Sequence, residues 1–124
     1  MNQRVYHVKK LVLWRDGLML QTGLGKVKVA DRFLSRLVGL LNRSSLDLDE
    51  ALLITPCAGI HTVGMRFPID LVFIDKENKV LGVRESVPPN RFRRAPKGTY
   101  AVLELSDGNV SQTGIHLDDR LIFD

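Results

Sequence analysis

The sequence holds one cysteine, Cys57, in 124 residues, so no internal disulfide can form. A structural metal site would have to draw on three histidines and scattered carboxylates, and neither a metal nor any other cofactor is expected. Aromatic residues make up only 6%, and no apolar run approaches the roughly 18 to 20 residues that cross a bilayer. The stretch from Ile69 to Ile74 is among the longest, and even that run carries Asp70. After Asn2, Gln3 and Arg4 no uninterrupted apolar block leads to a small-residue cleavage site. The pattern of a secretory signal is therefore missing, and a cytoplasmic location is the expectation. There is no G-x-G-x-x-G, no Walker-type loop, no internal repeat and no low-complexity segment.

What is present is the composition of an ordinary globular protein, 44% hydrophobic and 26% charged, at a length that suits a single domain over residues 1–124. Eighteen Lys and Arg against fourteen Asp and Glu give a formal charge of +4, which favours weak attraction to anionic partners. The charges are clustered. Arg4, Lys9, Lys10 and Arg15 open the chain, Arg84, Arg91, Arg93, Arg94 and Lys97 occupy a later stretch, and acid collects at residues 47–50 and 118–124.

Apolar runs on either side of Asp16-Gly17 predict a hairpin, because this dipeptide accepts the positive φ of a tight turn. The alternation Lys26-Val27-Lys28-Val29 predicts a third, half-exposed strand. Asp31 can cap a helix starting at Arg32, whose apolar side gathers Phe33, Leu34, Leu37, Val38, Leu40 and Leu41 opposite Arg32, Arg36 and Arg43. Residues 42–50 read as a polar loop, and Leu52-Leu53-Ile54 as a short buried strand stopped by Pro56. In the central IHTVGMRFPIDLVFID two strand-like runs meet at Arg66-Phe67-Pro68, and a hairpin is the simplest reading. Val80 to Val87 reads as a strand, Pro88 to Gly98 as an irregular exposed loop, Tyr100 to Leu105 as a strand, and Arg120 to Phe123 as the last strand. Together these elements predict an α+β fold, mostly antiparallel β in a curled sheet or small barrel, with one main amphipathic helix.

Reactive and charged types crowd into the centre as Cys57, His61, Thr62, Arg66 and Asp70. Residues four apart on a strand lie about 13 Å apart, so Cys57 and His61 cannot pair as nucleophile and base without a sharp bend. With Phe67-Pro68 as the loop, Met65 lies opposite Asp70, Val63 opposite Val72 and His61 opposite Ile74. His61 then reads as a core histidine bonded to backbone or as a site residue. Asp70, flanked on its face by apolar residues, needs a cation or several donors. Arg66 could satisfy it, or offer its fork to an anion. Arg91, Arg93, Arg94 and Lys97 could touch phosphates, with Phe92 as the one aromatic among them.

The stretch CAGIHTVGMRFPIDLVFID, then VLGV, AVLELSDG and DDRLIF, resembles the uncharacterised prokaryotic family known as domain of unknown function one-nine-two, and the upstream RFLSRLVGLLNR is similar to that family's arginine-containing helix. The resemblance covers residues 30–123 and implies that Arg36, Gly39, His61, Thr62, Met65, Pro68, Asp70, Glu104 and Leu105 are motif positions. It implies no activity. The leading expectation is a small soluble, non-enzymatic binding or accessory module for a small or anionic ligand or a protein partner, with Arg36, His61, Thr62, Arg66, Asp70 and Glu104 around an apolar pocket. One alternative is a hydrolase or transferase using His61, Asp70 and Glu104. Another is weak nucleic-acid binding through Arg91 to Lys97.

Overall fold

The computed structural model describes residues 8–30, 45–57, 59–62 and 65–124. The expected amphipathic helix, with Arg36 and Gly39, lies outside the described residues. Strands β1 (Val8–Lys9), β2 (Leu11–Arg15), β3 (Leu18–Gln21) and β4 (Lys26–Ala30) come first. Asp16 and Gly17 take φ of 50° and 80°, and β2 pairs antiparallel with β3 across them, so the expected hairpin forms. In β4 the alternation expected from Lys26 to Val29 holds, with Val27 buried between exposed lysines.

The remaining elements are β5 (Glu50–Ile54), β6 (Gly59–His61), β7 (Ile69–Ile74), β8 (Val80–Val87), β9 (Phe92–Arg94), β10 (Ala101–Ser106), helix α1 (Asn109–Thr113) and β11 (Arg120–Phe123). They form a six-stranded sheet in the order β1-β4-β5-β10-β7-β8, a three-stranded sheet β11-β2-β3 and a two-stranded ribbon β6-β9. All pairings are antiparallel except β4 with β5. The large sheet is open among the described strands, with β1 and β8 at its edges, so the curled sheet fits and a closed barrel does not.

Every residue of β7 and β10 is buried, as befits central strands covered on both faces. Alternate residues feed two cores. Val72, Ile74, Leu103 and Leu105 pack with Leu11, Leu13 and Leu121 of the three-stranded sheet. On the opposite face Leu52, Ile69, Leu71, Phe73 and Val102 pack with Leu46, Cys57 and Met65, and with Ile60, Phe67 and Ala95 at the margin.

Two expectations are corrected. The central segment does not fold into a hairpin at Phe67-Pro68: β6 pairs with β9, setting His61 opposite Phe92, while β7 pairs with β10 and β8. The expected irregular loop from Pro88 to Gly98 contains β9, because β6 supplies its ladder partner. Strand pairing is decided by which backbone is available across the whole chain, and the partner of β6 lies some thirty residues away.

Candidate functional site

Glu104 stands at the centre of the large sheet, with Leu52 of β5 on one side and Leu71 of β7 on the other. Both leucines belong to the second core, so the carboxyl points into apolar surroundings and is only 5% exposed. Burial pushes it up to about 8, which keeps it neutral at pH 7. A neutral carboxyl carries one donor and one acceptor, and can exchange a proton near neutral pH.

Asp70 projects from the other face. It is in register with Leu105, a residue of the first core, whereas Glu104 is in register with Leu71. The two carboxyls are thus separated by the sheet and do not converge on one reacting atom. Asp70 is fully buried, and its bonds come from three backbone N–H groups. Ser86 N and Gly108 N donate to Oδ1 at 2.8 and 3.1 Å, and Val110 N donates to Oδ2 at 2.9 Å. Ser86 sits in a bulge where two residues of β8 oppose Asp70 alone, between the pairs Ile69–Val87 and Leu71–Arg84. Gly108 and Val110 are at the start of α1, whose cap residue, Gly108, has no side chain to offer. Of the two expected ways to satisfy Asp70, a cation or several donors, the described residues supply the second, and Arg66 is exposed.

Thr62 is also fully buried. Its hydroxyl donates to Pro88 O at 2.7 Å and accepts from Arg91 N at 2.9 Å, while its own N–H donates to Arg91 O at 2.8 Å. It pins the start of the basic segment to β6. The backbone of His61 lies in β6, and its side chain is outside the described residues. Arg91, Arg94 and Lys97 are exposed, Arg93 is half-buried, and Phe92 is 75% exposed. Arg91 and Arg93 each donate to a neighbouring carbonyl, of Asn90 and Phe92 respectively.

Two groups escaped the sequence reading. Arg15 grips Asp119 with two bonds of 2.7 and 2.8 Å and reaches Gly114 O at 2.6 Å. Burial raises the Asp119 carboxyl, but the bonds from Arg15 and from His116 N outweigh it and hold the group below its ordinary value. This pair borders an open cleft of about 500 Å³ whose lining includes Trp14, Lys79 and Leu117. The other group is Ser106, two residues beyond Glu104, whose buried hydroxyl has no hydrogen-bond partner among the described residues. The signal was present in AVLELS, where two polar residues two apart interrupt an apolar strand.

Among the described residues no three His, Cys, Asp or Glu side chains are grouped to hold a metal, and no helix is long and apolar enough to cross a membrane. The model of the family domain of unknown function 192, described as Uncharacterized ACR, matches residues 16–123. A search of curated proteins gave no match. A crystal structure of a "putative transcription regulator" from Sinorhizobium meliloti 1021 superposes with a TM-score of 0.79 at 21% identity, covering 98% of each chain. Another, of a protein of unknown function from Novosphingobium aromaticivorans DSM 12444, gives 0.74 at 19% identity over 90% of this chain and 82% of that one. At these identities the likeness is one of fold.

Proposed function

We propose, from the premise that the chain belongs to the family domain of unknown function 192, that it is a non-enzymatic binding module whose ligand contacts the face of the large sheet carrying Glu104. One observation carries this reading: a buried acid without a described partner sits at the centre of an apolar sheet face. A group of that kind is expensive to keep for stability alone, and it gains its compensation when a ligand supplies hydrogen bonds. Thr62 and Asp70 support the site from a distance, Thr62 by fixing the ribbon and Asp70 by fixing the bulge and α1. Arg66 is a candidate for the outer edge, since its neighbours Met65 and Phe67 both pack against this face.

A thermal-shift screen of small polar compounds tests the reading, because a ligand that binds the folded state raises its melting temperature. Stabilising compounds should lose their effect on Glu104→Leu and keep it on variants of the far face such as Arg15→Lys. Compounds whose effect survives Glu104→Leu would place binding elsewhere.

The exposed strand β9 supports a second reading. Phe92 and Arg94 share its outer side, with Arg91 and Lys97 flanking. That combination suits a single-stranded nucleic acid, an aromatic for a base and cations for phosphates. Binding through this strand should weaken steeply with salt, and the triple variant Arg91→Ala, Arg93→Ala, Arg94→Ala should flatten that dependence. Retention by the triple variant would remove this reading.

A further inference from the structure

Four residues from separate parts of the chain stand in one row across the end of the three-stranded sheet. Lys79 is bridged antiparallel to Arg120, Arg120 is in register with Trp14, and Trp14 with Met19. Residues directly opposite on antiparallel strands send their side chains to the same face, so the row runs cation, cation, indole, thioether. Leu121 N donates to Asn78 O and Val80 N to Asp119 O, each at 2.8 Å, on either side of the Lys79–Arg120 bridge. That makes it a non-hydrogen-bonded pair, the kind whose side chains lie closest, and like charges so placed repel.

The chain itself relieves this repulsion poorly. Lys79 Nζ is 3.5 Å from Asp118 Oδ1, but the two side chains are 48% and 82% exposed, and such an ion pair contributes little. Arg120 is exposed and has no acidic partner among the described residues. Its neighbour Asp119 is already committed, since Arg15 bonds both carboxylate oxygens and His116 N donates to Oδ2. These bonds, with the one from Arg15 to Gly114 O, fix residues 114–119 as one wall. Lys79, Arg120 and Trp14 all line the open cleft of about 500 Å³, a volume in the range of small-molecule sites. Two of its lining residues are large apolar side chains left to solvent, Trp14 at 43% and Leu117 at 60% exposure.

We propose that this cleft binds an aromatic monocarboxylate, with its ring on Trp14 and Leu117 and its carboxylate held by Arg120 and Lys79. The guanidinium fork of Arg120 matches a carboxylate with two parallel hydrogen bonds, and the anion offsets the repulsion between the two cations. Stacking on the indole adds to the burial of the ring. One negative charge matches the one cation that lacks a partner. A dianion would also face Asp16 and Asp118, which line the same cleft, and an organic cation would meet Lys79 and Arg120 side by side. A neutral ring would leave Arg120 unpaired. The three-stranded sheet packs on the face of the large sheet away from Glu104, so this site is separate from the one proposed above and stands or falls without it.

The test titrates the full chain with four probes that share one ring system, namely 2-naphthoate, 2-naphthamide, 2-naphthylmethylamine and 2-naphthyl phosphate, and with acetate as a carboxylate without a ring. Trp14 is the single tryptophan, so its indole N–H gives one NMR peak to follow. 2-Naphthoate should shift that peak saturably and bind at least about tenfold more tightly than each other probe. Arg120→Gln should weaken 2-naphthoate about tenfold or more and leave 2-naphthamide unchanged. Trp14→Leu, followed through the Arg120 amide, should weaken 2-naphthoate about threefold or more. Arg84→Gln removes an exposed arginine on β8 and should change neither. The same spectra check that each variant is folded. Amide or amine binding as tight as 2-naphthoate, tighter binding of the phosphate, or equal losses in Arg84→Gln and Arg120→Gln would overturn the proposal. So would a Trp14 peak that stays in place under a large excess of 2-naphthoate.

Discussion

Replacing Asp70 with Ala removes one acceptor from three backbone donors that lie on two different segments. Hydrogen bonds to a charged group contribute about 1.5 to 3 kcal/mol each. The three do not add fully, because Ser86 and Gly108 are exposed and can turn to water, whereas Val110 is buried and cannot. The expected loss is therefore on the order of 3 to 5 kcal/mol, the upper range for a single substitution. Asp70→Asn keeps an acceptor for one segment but turns an amide donor toward another N–H, and should lose about 1 to 3 kcal/mol. Urea unfolding at pH 7 measures both, and amide exchange at Val110 and Ser86 locates the damage. An Asp70→Ala protein within about 0.5 kcal/mol of the parent, with Val110 still protected, would refute the view that this carboxylate joins β7 to the bulge and to α1.

The other expected outcomes concern the segments around the site. Thr62→Val keeps shape but strands the Pro88 carbonyl and the Arg91 N–H, at about 1 to 3 kcal/mol by urea unfolding, with faster exchange at Arg91; unchanged exchange would contradict the pinning role. In Gly82→Ala the new Cβ would stand 2.8 Å from Pro96 Cγ, so overpacking should destabilise by about 1 to 3 kcal/mol in thermal unfolding, and a neutral result would show that residues 95–98 yield freely. Asp119, held low in the folded state, contributes stability above its unfolded-state value and loses it as pH falls through the folded one. Arg15→Ala removes the main bond that lowers it, so acid unfolding followed by circular dichroism should move to higher pH.

Local signals read well from the residues. Asp16-Gly17 announced its hairpin, Lys26 to Val29 announced a half-exposed strand, and Val80 to Val87 and the last strand lie where the apolar runs put them. The failures are nonlocal. Ile69 to Ile74 is apolar on both faces apart from Asp70, the mark of a strand covered on both sides, and such a strand takes two neighbours instead of one hairpin mate. β9 has no apolar alternation to reveal it, because Phe-Arg-Arg is held as a strand by β6 and Thr62. The need of Asp70 for several donors was legible; their sources, 16 to 40 residues later, were not. Glu104 was legible as a motif position, but its separation from Asp70 follows from register, which a single sequence does not fix.

The central claim is that Glu104 is neutral in the folded protein at pH 7. Raised from 4.5 to about 8, it binds its proton more tightly when folded, so stability should decline as pH rises from about 4.5 to about 8, by at most roughly 5 kcal/mol, and Glu104→Gln should abolish that decline. The direct measurement is a carbon-13 titration of the Glu104 side-chain carboxyl, assigned by its loss in Glu104→Gln. A midpoint near 8 is the predicted result, and a midpoint near 4.5 in the folded protein would contradict it.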